Sequence, residues 1–315
     1  QPLPRPPSGS GSVVVQVSPK LTSVPSGSDR PEVLRSLFSS WGWDGGTDVF
    51  KEILSKHEEA IREHFLMVEV GTGDGRQAVA AAELGYNVLS VDAFINNLGR
   101  GKNLARSKTL TGQINWVWSA VSDYRGHAIF WGYSGMGRLL DAKDPNATTN
   151  VNNWKKDFRS SARMNVTVKL LDDIVTECPF LLKVDVEGNE LKVFKGAQRL
   201  LSQRPPMIIV EFNPCMMQWA QGDDAYDVLK LLHDAGYVLY DSAVSEPYKR
   251  GFMAKYGSQR PREYRKFVDW LLKSKEFDHW GSWTDIIAVL PKGTMRESGV
   301  WPGWTVTRAD KTYTL

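Results

Sequence analysis

Four short apolar runs in this chain each carry an acid at or next to their ends: FLMVEV (65–70), NVLSVDA (87–93), FLLKVDV (180–186) and MIIVEF (207–212). Segments with helical spacing separate them, among them DGRQAVAAAELG (74–85), the stretch 96–108, ELKVFKGAQRLLSQ (190–203) and DAYDVLKLLHDAG (224–236). Strands that alternate with helices need right-handed crossovers, which build a mainly parallel sheet. Continuous apolar runs such as MIIV suit strands covered on both faces. Further strands are expected at INWVWSAVSD (114–123), YVLYD (237–241) and, last in the chain, TDIIAVL (284–290). HAIFWGY (127–133) and NVTVKLL (165–171) read as accessory strands around a polar loop, with LDDIVTE as a short helix.

This pattern divides the chain. Residues 1–30, rich in Pro, Ser and Gly, read as a flexible tail, either a tethering stem or a plain disordered end. Residues 31–64 form an N-terminal helical segment, and 65–315 the α/β domain. Within that domain, 242–283 is too long for an ordinary connection and reads as an insertion before the last strand. A net charge of +3 without a basic run interleaved with aromatics offers nothing for nucleic acid. Two cysteines exclude a disulfide scaffold and a zinc site built on Cys pairs. Cys178 precedes one strand and Cys215 follows the next, which puts them roughly 20 Å apart; a disulfide needs about 7 Å, so free thiols are expected. No apolar run reaches the length of a membrane span. The chain begins on Gln1, so a processed or partial form is expected, with room for a lost anchor. The stem-like tail and the acceptor triplet at Asn146 point to a secretory lumen, with the cytoplasm as the alternative.

The first acidic run opens into EVGTGDG (69–75). A dinucleotide fingerprint would place its last glycine at position 76, where Arg76 stands, and no G-K-[ST] follows as a phosphate loop requires. What remains is an acid followed by Gly71, Gly73 and Gly75 at alternate positions. That suits a ligand with an amino acid and a nucleoside but no pyrophosphate, namely S-adenosyl-L-methionine. The glycine backbone would approach the amino-acid part, and Asp92, ending the next strand, would accept two hydrogen bonds from the ribose.

Five segments in order, EVGTGDG, SAVSDYRG (119–126), VTVKLLDDIV (166–175), LLKVDVEGNELKVFKGAQRLL (181–201) and PPMIIVEF (205–212), resemble the FkbM family of S-adenosylmethionine-dependent methyltransferases. LKVDVEGNELKVFKGA is the most specific, and the resemblance spans roughly 65–215. Glu69 and Asp74 depart from the Asp and Asn frequent in the family's first motif. The resemblance implies a Rossmann-like seven-stranded sheet, mainly parallel with helices on both faces, and commonly O-methylation. Cofactor contacts are expected at Glu69, Gly71, Thr72, Gly73, Asp92, Ser119, Ala120 and Asp185.

Methyl transfer is an in-line displacement, so alignment of the acceptor matters most. A hydroxyl acceptor also benefits from a base. Asp185 is the first candidate and Glu187 the second, since the two share a face if the strand runs through both; Glu211 ends the following strand. Glu190 reads as a helix cap, and Asp172 and Asp173 as caps in their turn. The acids could hold a hard cation, but without a dense D-x-D pattern no metal is assigned. His279, Trp280 and Trp283 of the insertion are expected over the acceptor. Aromatic walls with Lys and Arg suit a glycan or a glycosylated small molecule as acceptor. Two other readings stand beside this one: a nicotinamide-dependent oxidoreductase, against which Arg76 speaks, and a non-catalytic nucleotide-binding module, against which Asp92 and Asp185 speak. Oligomeric state leaves no trace in the sequence.

Overall fold

The computed structural model describes residues 54, 55, 57–133, 136–140, 162–241, 263–273, 283–290, 305–307 and 312–314. The expected tail at 1–30, most of the N-terminal segment, Asn146 and much of the insertion lie outside them. Seven strands build the central sheet: β1 (Leu66–Val70), β2 (Asn87–Asp92), β3 (Ile114–Trp118), β8 (Leu181–Val184), β9 (Met207–Phe212), β10 (Val238–Asp241) and β11 (Thr284–Val289). Their spatial order is β10-β11-β9-β8-β1-β2-β3. The pairs from β3 through β9 are parallel, while β11 is antiparallel to both β9 and β10. The sheet is therefore mainly parallel with one reversed strand. From β1 the chain proceeds outward to β2 and β3, then returns to the other side of β1 as β8. The strand order thus reverses between β1 and β8, and ligands of open α/β sheets sit outside the carboxyl ends of strands at such a point.

The expected strand at 114–123 is in fact two. β3 ends at Trp118, and Ala120–Val121 (β4) joins a second sheet of order β4-β7-β5-β6, with β5 at Gly126–Tyr133, β6 at Met136–Leu140 and β7 at Ala162–Lys169. Ser119 makes the transfer: its N–H donates to the Asp92 carbonyl (3.1 Å) and its hydroxyl to the Thr167 carbonyl (3.0 Å). Strand β6 was not expected. It packs because Gly137 leaves room for Phe130, whose ring would lie 2.1 Å from a Cβ at that position.

The helix expected over 190–203 also divides, into Glu190–Lys195 and Gln198–Ser202. Gly196 passes so close to the Ser122 carbonyl that a Cβ would stand 2.2 Å from it. Asp172 accepts hydrogen bonds from the N–H groups of Arg199 (2.7 Å) and Leu200 (2.9 Å), so it caps the second piece rather than its own turn. The helix Arg76–Leu84 meets the helix Ile95–Arg106 at Gly75 and Gly101, where a Cβ on Gly75 would lie 2.3 Å from the other Cα. Close packing is made one residue before Arg76, which lies exposed against Asp74 (2.7 Å). From the insertion, the helix Tyr264–Lys273 stacks Phe267 on Phe212, centroids 5.9 Å apart. TDIIAVL is not the last strand: Thr305–Thr307 and Thr312–Thr314 pair antiparallel after it. Both cysteines are free, and no helix among the described residues is long and apolar enough to cross a membrane.

Candidate active site

The glycine loop leaves β1 where β2 and β8 also end. Gly71, with φ of +95°, donates its N–H to the Val91 carbonyl (2.8 Å). A Cβ there would stand 1.7 Å from the carbonyl oxygen of Asp185, so the exits of β1 and β8 touch through a residue that must be glycine. Asp92, only 7% exposed, ties the loop down. Its Oδ2 accepts from the N–H of Thr72 (2.7 Å), the N–H of Gly73 (3.3 Å) and Nδ2 of Asn97 (3.0 Å); its Oδ1 accepts from the N–H of Phe94 (2.6 Å). Burial raises the Asp92 pKa, and these donors pull it back. A carboxylate oxygen has two lone pairs. Oδ1 therefore keeps one acceptor position for an incoming hydroxyl, where the sequence suggested two hydrogen bonds.

Of the residues expected at the site, Gly71, Gly73, Asp92, Ser119, Ala120, Asp185, Glu187 and Glu211 line one cleft of about 160 Å³. Asn97, outside every motif, and Asn189, inside LKVDVEGNELKVFKGA but given no role there, join them, and the second sheet contributes Phe130 and Leu139 as an apolar wall. Two of the residues expected to touch the cofactor do not line it. Glu69 is fully buried beneath the loop, with Oε2 accepting from Ser90 Oγ (2.6 Å). The Thr72 hydroxyl is turned to Ser90 Oγ (2.7 Å), leaving its backbone N–H to serve Asp92. Trp283, 43% exposed, stands at the start of β11 and so at the same sheet edge as Glu211, but outside the cleft. His279 and Trp280 lie outside the described residues.

Strand alternation does not place Glu187. β8 stops at Val184, and Glu187 has φ of +55°, a left-handed conformation that costs a non-glycine residue about 1–2 kcal/mol. The turn is held by Glu190, which is no simple cap: Oε1 accepts from the N–H groups of Val186 (3.1 Å) and Gly188 (3.1 Å). The turn brings Glu187 beside Asp185, and with Glu211 each offers a carboxylate oxygen within 4.8 Å of the others.

Ser90, Glu69 and Lys183 are register partners across β2, β1 and β8, so they share one face. Lys183 Nζ donates to Asp185 Oδ2 (2.7 Å). Burial alone would push the Lys183 ammonium down, but Asp185 and Glu69 outweigh it and hold it above its usual value. Burial pushes Glu69 up to about 7 despite Lys183 and Ser90, because the lysine's hydrogen bond goes to Asp185. Desolvation, then Asp185 and Glu190, pushes Glu187 up to about 8, and the same causes with Glu187 itself raise Glu211 well above the carboxylate range. Carboxyls that titrate near neutrality are suited to general base work.

Glu69 also makes stability pH-dependent. Between its ordinary value near 4.5 and its folded value of about 7, the unfolded chain has released a proton that the fold keeps. Stability therefore falls as pH rises through that window, by roughly 2–3 kcal/mol. Urea unfolding at pH 5 and pH 8 should show Glu69→Gln losing less stability than the wild type by about that amount. Equal losses would show that Glu69 does not hold its proton.

A mainly parallel sheet with a cleft at the reversal point, a glycine loop and an acid at the end of β2 define a Rossmann-like α/β domain. A profile of the methyltransferase FkbM domain matches residues 69–239, over half of the chain. The chain belongs to the FkbM methyltransferase family. Among solved structures, the FkbM methyltransferase of Methylobacillus flagellatus is similar at TM-score 0.40 and 14% identity, over 81% of this chain and 58% of its own. This chain thus spans little more than half the length of that protein. The magnesium protoporphyrin IX methyltransferase of Synechocystis, with bound SAM, gives TM-score 0.37 and 11% identity over 82% of this chain and 90% of its own. A precorrin-6y C5,15-methyltransferase of Geobacter metallireducens gives 0.35 and 10%, over 76% and 88%. No curated protein matches the chain.

Proposed function

We propose that the protein moves the methyl group of S-adenosyl-L-methionine to a hydroxyl on a sugar, glycan or glycosylated small molecule. The observation that carries this reading is the single cleft in which the Asp92-tied glycine loop faces Asp185, Glu187 and Glu211. The cofactor fits the residues present. Gly73 leaves open space above the loop, with no heavy atom within 4 Å of where a Cβ would point, and Asp92 keeps one free acceptor position for a ribose hydroxyl. Gly71, Gly73, Asp92, Ser119 and Ala120 would hold it, and it would supply an electrophilic methyl group. Asp185, fixed by Lys183, would orient the acceptor hydroxyl. Glu187, titrating at about 8, would take its proton. Phe130 and Leu139 give the same cleft an apolar wall. Such a wall suits a sugar ring, which is apolar on its faces and polar at its rim.

The test is transfer of label from methyl-labelled S-adenosylmethionine to fractionated glycans, small metabolites and protein. Label in the glycan or glycoside fraction is the expected result. Label confined to another fraction would retain the methyltransferase and remove the sugar.

A further inference from the structure

We propose that Asn97 sets the affinity for the cofactor's ribose by holding the Asp92 carboxylate in place, as a positioning residue that Arg100 locks in turn. This role rests on the methyl-donor reading above, since it concerns the ribose of S-adenosyl-L-methionine. Asn97 lies in the helix Ile95–Arg106, is 4% exposed and forms part of the wall of the same cleft as Asp92. Its Nδ2 donates to Asp92 Oδ2 (3.0 Å). The other donors to this carboxylate are backbone N–H groups, of Thr72, Gly73 and Phe94. Asn97 is thus the one side chain among the described residues that donates a hydrogen bond to Asp92.

The amide can serve this carboxylate in only one orientation. With Nδ2 toward Asp92 it donates; turned over, it would set its own oxygen against a carboxylate oxygen, and two acceptors repel. Arg100 selects the first orientation, because its Nη2 donates to Asn97 Oδ1. A guanidinium has no acceptor, so only the amide oxygen can face it. A donor on Oδ1 also polarises the amide and strengthens the N–H that it offers to Asp92. The helix that carries both residues is fixed against the glycine loop. The Asn97 N–H donates to the Phe94 carbonyl (2.9 Å) at its start. One turn further on, Gly101 meets Gly75 so closely that a Cβ on Gly75 would lie 2.3 Å from its Cα. Loop and amide therefore hold Asp92 as one unit. Burial raises the Asp92 pKa, and Asn97 leads the donors that oppose it. With Oδ2 committed to three donors, the carboxylate cannot turn, and the open acceptor position of Oδ1 stays in one place for a ribose hydroxyl.

Calorimetry on the full chain tests the role with two ligands. One is S-adenosylhomocysteine, which keeps the nucleoside and the amino acid; the other is its 2′,3′-dideoxy counterpart, which lacks the ribose hydroxyls. Asn97→Leu should weaken S-adenosylhomocysteine about tenfold, as a lost hydrogen bond to a charged group does. Arg100→Leu leaves that bond but frees the amide, and should weaken the same ligand about threefold. The dideoxy ligand should bind both variants as it binds the wild type, because the loss runs through the ribose contact. Circular dichroism establishes that each variant is folded, and Arg100→Leu, at a half-buried position, carries the test if Asn97→Leu is not. Wild-type affinity in the folded variants, or equal weakening of both ligands, would overturn the role of Asn97 and leave the methyl-donor reading standing. No binding of S-adenosylhomocysteine by the wild type at millimolar concentration would overturn both.

Discussion

Gly71→Ala destabilises the fold by about 4 kcal/mol and abolishes cofactor binding. Two costs combine. A left-handed φ of +95° is unfavourable for alanine, by about 1–2 kcal/mol. The new methyl would also lie 1.7 Å from the Asp185 carbonyl oxygen and 2.7 Å from its carbon. These are backbone atoms of the neighbouring strand exit, so no side chain can swing away, and overpacking of this kind costs about 1–3 kcal/mol. A total stability of about 5–15 kcal/mol would lose a large share. The separation of β1 and β8 would open the floor of the cleft, which removes binding along with stability. Gly73→Ala is the control. It too is left-handed, at +57°, but a Cβ there meets no heavy atom within 4 Å, so it should cost only about 1 kcal/mol. Urea unfolding of both variants decides the matter. Equal costs would mean that the contact between the two strand exits is not as close as described.

Asp92→Asn loses about 100-fold in affinity for S-adenosylmethionine and about 2–3 kcal/mol of stability. The carboxylate serves three donors on one oxygen and one on the other. An amide has one acceptor oxygen and one donor nitrogen, so in either orientation an N–H group faces the new donor. A buried donor left without its acceptor costs about 1–3 kcal/mol, and hydrogen bonds to charged groups are worth about 1.5–3 kcal/mol. The asparagine variant keeps the shape of the side chain, which makes it a better probe than alanine. Calorimetry on protein with wild-type circular dichroism is the measurement. Affinity within threefold of wild type would remove Asp92 from the nucleoside site.

Much of this was legible in the sequence, for identifiable reasons. MIIVEF runs from one end of β9 to the other because an apolar run after a proline pair has few other solutions. The glycine loop and Asp92 were legible because a strand exit that must approach another backbone leaves glycine as the one tolerable residue. Other features depend on partners distant in the chain. The break at Ser119 is set by Thr167, 48 residues away, within a stretch that reads as one strand. Glu69 looked like a ligand because it precedes the glycines, but its register partners Ser90 and Lys183 enclose it. Glu187 reaches the cleft through a left-handed turn that alternation cannot foresee. Asn97 lies in no motif, and Asn189 lies in LKVDVEGNELKVFKGA among acids that drew the chemical reading instead. Their roles come from one carboxylate and one carbonyl that the fold brings to them.

The most direct test of the central claim is cofactor binding by the full chain, compared between S-adenosylmethionine and NAD by thermal and chemical unfolding. At about a hundred times its dissociation constant, S-adenosylmethionine should stabilise the protein by roughly 2.7 kcal/mol. NAD should produce no shift, and Asp92→Asn should lose the shift at the same concentration. No stabilisation by S-adenosylmethionine at millimolar concentration, or an equal response to NAD, would contradict the assignment of the EVGTGDG cleft.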